Sequence, residues 1–189
     1  MKIIALCGPQ GAGKSEAAKA IAELPRWSRL SFAGPLYDMM STLLGTDARK
    51  QDKAQPNDVL CGKTLRQALQ TLGTEWGRGM VGETIWLNAM DATLKREQAC
   101  GAAGVVIDDL RFANEYKFLI ERDAMIVRVE REGCMAPTLN QGHASEADWG
   151  DFKPHAVLRN KGTLDALWSF RRGARFLTKI PHRTEGVPV

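Results

Sequence analysis

The chain has 189 residues, of which 44% are apolar and 25% charged, with a formal net charge of +4 at pH 7. That is the size of one well-buried domain with an ordinary soluble composition, and no apolar run approaches the ~18 residues that a bilayer span needs. The charge is uneven, with eight Lys/Arg against two acids from Lys153 onward, and this basic tail reads as a solvated helix face rather than a nucleic-acid groove.

Strands and helices alternate along the chain. Lys2–Cys7 reads as a short buried strand that runs straight into a glycine-rich turn. A signal peptide cut there would end where the chemistry begins, so a cytoplasmic protein is expected. A helix is predicted over 15–24, a brief strand over 29–32, and a helix over 35–44 with Pro35 in its favoured first turn. Residues 46–62 are polar and read as a mobile loop. Helices follow over 64–72 and 83–99, then a buried strand over 105–107 that ends in two aspartates. A helix over 114–122, a strand over 125–129, a Gly/Pro-rich loop over 132–151, a strand over 156–158 and a basic helix over 164–177 complete the pattern. The cysteines, Cys7, Cys61, Cys100 and Cys134, lie at least 34 residues apart, so reduced thiols are expected, with no zinc site and no disulfide.

This alternation predicts an α/β fold with a parallel sheet flanked by helices, and ligands at the carboxyl ends of the strands. Gly8, Asp108, Asp109 and Arg131 all fall at predicted strand ends and should converge.

Between the first strand and the first helix stands GPQGAGKS, residues 8–15, which matches the P-loop spacing without a mismatch. Its glycines let backbone N–H groups turn inward around a β-phosphate. Lys14 reaches the β- and γ-phosphates, and the Ser15 hydroxyl ligates Mg²⁺. The ATP-binding set is Gly8, Gly11, Ala12, Gly13, Lys14, Ser15 and Glu16, with Mg²⁺ as the accompanying cofactor. An acid from a neighbouring strand end should complete the metal site. Asp108 and Asp109 are both candidates, and strand alternation lets only one of them point at the loop.

A phosphate acceptor is itself anionic, so it demands extra fixed positive charge and no general base. Arginines stand where that demand would put them. Arg111 follows the paired aspartates, Arg128 and Arg131 flank the end of the 125–129 strand, and Arg66 and Arg78 bracket TLRQALQTLGTEWGR. Glu115 is placed to orient Arg111. The five Trp residues read mainly as core. His143 reads as a lid or capping residue, and His155 and His182 as surface residues.

The ordered set SFAGPLYD (31–38), TLRQALQTLGTEWGR (64–78), DLRFANE (109–115), IVRVERE (126–132), HASEA (143–147) and RNKGTLDAL (159–167) stands behind the P-loop. In this order it resembles the deoxynucleoside monophosphate kinase family of tailed bacteriophages, over nearly the whole chain from Lys2 to about Trp168. The resemblance implies a single adenylate-kinase-like P-loop domain. Its parts would be an acceptor-binding region over about 33–85, a short lid over about 131–151 and the basic helix over about 164–177. It also implies transfer of the ATP γ-phosphoryl group to a deoxynucleoside monophosphate, in the host cytoplasm if the gene is a phage gene.

By position, Asp109 would be the strand-end acid and metal partner, and Arg111 an acceptor-phosphate arginine. Arg66 would lie on the acceptor side, Phe32 and Trp86 would wall the base, and Arg131 would stand at the lid's root. Two features depart from the family's pattern. The segment between Gly45 and Gly62 is short, and the lid candidate has no Arg or Lys inside it, so lid charge would come from Arg128 or Arg131. The partners expected are ATP and the monophosphate, with no membrane and no nucleic acid, and a homodimer is admitted. Two other readings fit the same P-loop. One is a kinase of another small acceptor, of dephospho-coenzyme A or sugar-acid type, with Asp38 or Asp108 as base. The other is a DNA-stimulated ATPase that uses the basic tail.

Overall fold

A computed structural model describes residues 1–134 and 148–160. The chain forms two compact units, one built from Met1–Ser31 with the residues from Leu94 onward, the other from Phe32–Thr93.

The first unit holds a parallel five-stranded sheet. Its strands are β1 (Lys2–Cys7), β2 (Trp27–Leu30), β3 (Gly104–Ile107), β4 (Met125–Arg131) and β5 (Ala156–Asn160), in spatial order β2-β3-β1-β4-β5. Burial follows this order. Five of the six β1 residues and all four of β3 are buried, as continuous hydrophobic strands covered on both faces must be. β5 alternates between half-buried and exposed, as an edge strand does. Helix α1 (Lys14–Ala22) lies on one face, where Ala17, Ala18, Ala20 and Ile21 pack with Ile4, Leu6, Val106, Val127 and Val129. Small alanines let the helix sit close to the strands. Fully burying each of these branched strand residues contributes about 1.5–3 kcal/mol relative to exposure. Helix α5 (Ala113–Ile120) buries Phe118 and Leu119.

The second unit carries α2 (Gly34–Leu44), α3 (Leu65–Gln70) and a π-helical segment over Thr71–Val81 that continues directly from α3. Helix α4 (Ile85–Ala99) starts in this unit and ends in the first. Thr64 and Gln67 form a reciprocal cap at the start of α3: the Gln67 N–H donates to Thr64 Oγ1 at 3.2 Å and the Thr64 N–H to Gln67 Oε1 at 2.9 Å. Leu65, Met40 and Ala48 form one small hydrophobic cluster of this unit.

Several expected boundaries move. The segment 46–62 has 3-10 turns at Ala48–Lys50 and Asp58–Leu60, with Asp47 and Asn57 capping them, and Ala48 is fully buried. It is therefore a run of capped turns rather than a structureless loop. The predicted helix over 64–72 gives way to the π segment at Thr71. There Gly77 leaves room for the Trp86 ring and Gly73 for Leu36, and the indole N–H of Trp86 donates to the Gly73 carbonyl at 2.8 Å. Strand β4 runs on to Arg131 and β5 to Asn160. Most of the lid candidate, including His143, and the predicted helix over 164–177 lie outside the described residues. No helix among the described residues is long and apolar enough to cross a membrane.

Candidate functional site

The residues facing α1 from each strand share one register. Trp27, Ile4 and Leu6, Val106, Val127 and Val129, and Ala156 and Leu158 all pack in the α1-side core. Because side chains alternate along a strand, the next residue on the same face lies two positions on. Those positions are Arg29, Gly8, Asp108, Arg131 and Asn160. The five strands therefore present these residues at their carboxyl ends, on the face where α1 begins.

Gly8 leaves β1 with φ +130°, and a Cβ there would fall on the carbonyl oxygen of Val129 in β4. The glycine is needed for this close approach as well as for its backbone angle. The loop then passes Gly11 and Gly13 (φ +81° and +96°), and Gly13 caps the N-terminus of α1. Successive N–H groups of such a turn, with the positive end of the helix dipole behind them, form an anion cradle. The Lys14 ammonium stands at this loop, donating to the carbonyls of Gly8 at 2.7 Å and Pro9 at 2.8 Å. Glu16 is paired instead with Lys19 at 2.7 Å in an exposed ion pair.

The Ser15 hydroxyl donates to Oδ2 of Asp108 at 3.1 Å. The same oxygen accepts Nε and Nη2 of Arg29, at 3.1 and 2.6 Å. Asp108 is only 6% exposed, and these donors account for how a carboxylate is tolerated there. Asp109 is half-buried and is not the acid that reaches Ser15. The pleat decides this: residue 108 continues the face of Val106, and residue 109 the opposite one. The structure thus brings Asp108 to the serine where the resemblance named Asp109. Arg29 was missed altogether. The signal for it was its position two residues beyond a core tryptophan on a strand that neighbours the aspartates.

The same register separates the two β4 arginines. Arg131 is on the α1 face, and its Nη1 lies 3.5 Å from the Gly11 carbonyl. Arg128 is on the other face, bound to the carbonyls of Gly150 at 3.2 Å and Phe152 at 2.8 Å. Arg128 also neighbours Cys7 across the ladder. Burial pushes the Cys7 thiol above its ordinary value of 9.0, and the Arg128 charge and hydrogen bond partly offset that rise.

Arg111 is exposed just beyond β3, and its guanidinium has no hydrogen bond or ion pair among the described residues. Glu115 does not bind that guanidinium. It is 2% exposed, and its Oε2 accepts the backbone N–H groups of Arg111 at 3.0 Å and Phe112 at 3.2 Å. It caps α5 and fixes the main chain that carries Arg111. In the second unit Arg66 is exposed on α3 and Arg78 is half-buried in the π segment. Phe32 and Trp86 are 4% and 5% exposed, so protein covers most of each ring. Trp86 packs against Gly77 and lies 6.4 Å from Trp76, ring centre to ring centre, which makes it a core tryptophan rather than an open wall for a base.

Ser15 and Asp108 are hard oxygen donors 3.1 Å apart. That donor set fits Mg²⁺, which typically takes one or two protein oxygens and completes its shell with phosphate and water.

The family model described as "Deoxynucleotide monophosphate kinase" matches residues 57–170, more than half of the chain. This match lies wholly beyond residues 8–15, so it is independent of the phosphate loop. A protein of Acanthamoeba polyphaga mimivirus named "Putative deoxynucleotide monophosphate kinase" is 29% identical over 189 residues, covering 89% of this chain and 93% of that protein. With a parallel sheet flanked by helices, a glycine-rich loop at the carboxyl end of its central strand, and this match, the chain belongs to the deoxynucleotide monophosphate kinase family and is a nucleotide kinase, a phosphotransferase.

Proposed function

We propose that the protein transfers the γ-phosphoryl group of ATP to a deoxynucleoside monophosphate, giving the diphosphate, with Mg²⁺ as cofactor. The observation that carries this reading is the Lys14–Ser15–Asp108–Arg29 constellation at the mouth of the loop, in a chain of this family. The backbone N–H groups of Gly11, Gly13, Lys14 and Ser15 and the Lys14 ammonium bind the triphosphate. Ser15 and Asp108 would hold the metal, and Arg29 keeps the Asp108 carboxylate turned toward the serine. The metal would supply charge neutralisation on the phosphate oxygens.

Arg111 is the acceptor-phosphate arginine. Its main chain is fixed through Glu115, and its exposed guanidinium can form a forked pair with a phosphate. Arg131 places a second positive charge beside Gly11, where charge spreads over the transferring group. Arg66 and Arg78 are further acceptor-side candidates. The acceptor oxygen is already anionic, so positioning and charge neutralisation drive an in-line displacement without a base.

The test is a coupled assay of the full chain with ATP, Mg²⁺ and, one at a time, the four deoxynucleoside monophosphates and their ribo counterparts. A no-acceptor control and a DNA control complete the set. Turnover with one or more deoxy monophosphates, with diphosphate as product, is the expected result. Silence with all eight, together with turnover on DNA or with no acceptor, would sink the proposal.

A further inference from the structure

If the N–H groups of the loop are to point at a phosphate, its carbonyls must point elsewhere, and each buried carbonyl needs its own donor. Three find one locally, and the Gly11 carbonyl is reached by Arg131. Lys14 serves Gly8 and Pro9, and the Ala17 N–H serves Gly13 at 3.0 Å. Ala12 is different. It is fully buried between the two glycines with positive φ, and its carbonyl is reached by a side chain 148 residues away: Nδ2 of Asn160, at 2.9 Å. Only the amide nitrogen can donate to a carbonyl, so this contact also sets the orientation of the Asn160 side chain.

The Ala12 carbonyl and the Gly13 N–H belong to one planar trans peptide and point in opposite directions. A donor that holds the carbonyl on one side therefore aims the N–H on the other. Nδ2 of Asn160 also stands 2.5 Å from where a Cβ on Gly13 would lie. Gly13 thus makes room for Asn160 as well as supplying the turn. We propose that Asn160, the last residue of β5, is a positioning residue for the phosphate loop: it fixes the plane of the Ala12–Gly13 peptide and so aims the Gly13 N–H at the ATP phosphates. This rests on reading residues 8–15 as the ATP cradle. It extends that reading by making the far edge strand of the sheet a determinant of ATP affinity.

Two variants of the full chain test it. Asn160→Asp keeps the size and shape and removes the donor; Asn160→Ala removes the donor without adding charge. For each, the ATP dissociation constant is measured by calorimetry, the KM for ATP and for the acceptor by turnover, and the unfolding midpoint by circular dichroism. Both variants are expected to weaken ATP binding and raise its KM about tenfold, Asp at least as much as Ala. The acceptor KM should stay within twofold and the midpoint within a few degrees. Wild-type affinity in Asn160→Ala overturns the inference, even if Asn160→Asp is weakened, because charge repulsion alone would then be at work. So does a parallel rise in both KM values with a fallen midpoint, which marks a merely structural contact. A wild-type chain that does not bind ATP would sink the ATP reading and this inference together, whereas a binding wild type with unaffected variants sinks this inference alone.

Discussion

Replacing Asp108 by Asn tests the register rule most directly, because Asp109 beside it supplies an internal control. The substitution keeps the shape of the side chain and an oxygen for the Ser15 hydroxyl, but removes the charge that faces Arg29 at 2.6 Å. Breaking a fully buried pair costs about 3–5 kcal/mol, and an exposed pair contributes about 0–1. This pair is mixed: the carboxylate is 6% exposed and the Arg29 side chain 37%. The arginine can recover water, so the expected loss is about 1–2 kcal/mol. For a chain of this size that lowers the unfolding midpoint by about 2–8 °C. Turnover should fall about 10²-fold or more, the usual scale for removing one preorganised electrostatic group from a phosphoryl-transfer site. Asp109→Asn should keep turnover within about threefold of wild type on the same scale. Thermal melts and the coupled assay on both proteins decide the matter. A larger activity loss in Asp109→Asn than in Asp108→Asn would refute the assignment and the alternation that underlies it.

Lys14→Ala should reduce turnover at least about 10³-fold while the far-ultraviolet spectrum stays native, since a cation at the loop is lost and no core contact is. Arg111→Ala should raise the acceptor KM about tenfold, the scale of one charge-assisted pair, and leave ATP affinity within twofold; equal losses on both substrates would contradict its role. Gly77→Ala drives a methyl group into the Trp86 ring and should cost about 1–3 kcal/mol, with altered tryptophan fluorescence as the readout. For Cys7 the folded pKa lies above the unfolded value of 9.0. The unfolded chain therefore loses its proton first, and the stabilising contribution, complete below pH 9, is lost as pH rises through the folded value. Denaturant titrations should show stability falling above pH 9 more steeply in the wild type than in Cys7→Ala. At pH 8 a maleimide should label the exposed Cys61 and Cys100 in the native protein but reach Cys7 only on unfolding.

The glycine-rich turn from β1 into α1 was legible from its spacing alone, because a chain that turns this tightly needs glycines at fixed offsets. The parallel sheet was equally legible, since apolar runs such as KIIALC and GVVI are buried on both faces only in such a sheet. What the sequence alone left open was facing. Two adjacent aspartates and two nearby arginines are equivalent in a string. They became distinct only when α1 settled on one face of the sheet and alternation sent Asp108 and Arg131 to that side and Asp109 and Arg128 away from it. Glu115 was legible as a partner of Arg111 but not as a cap on its backbone, and Trp86 was legible as an aromatic but not as one packed against glycines. Arg29 carries no local motif, and the block RNKGTLDAL that contains Asn160 does not say what Asn160 touches. From the two edge strands, Arg29 binds Asp108 and Asn160 binds the Ala12 carbonyl, and strand order, β2-β3-β1-β4-β5, is a property of tertiary pairing that local sequence does not encode.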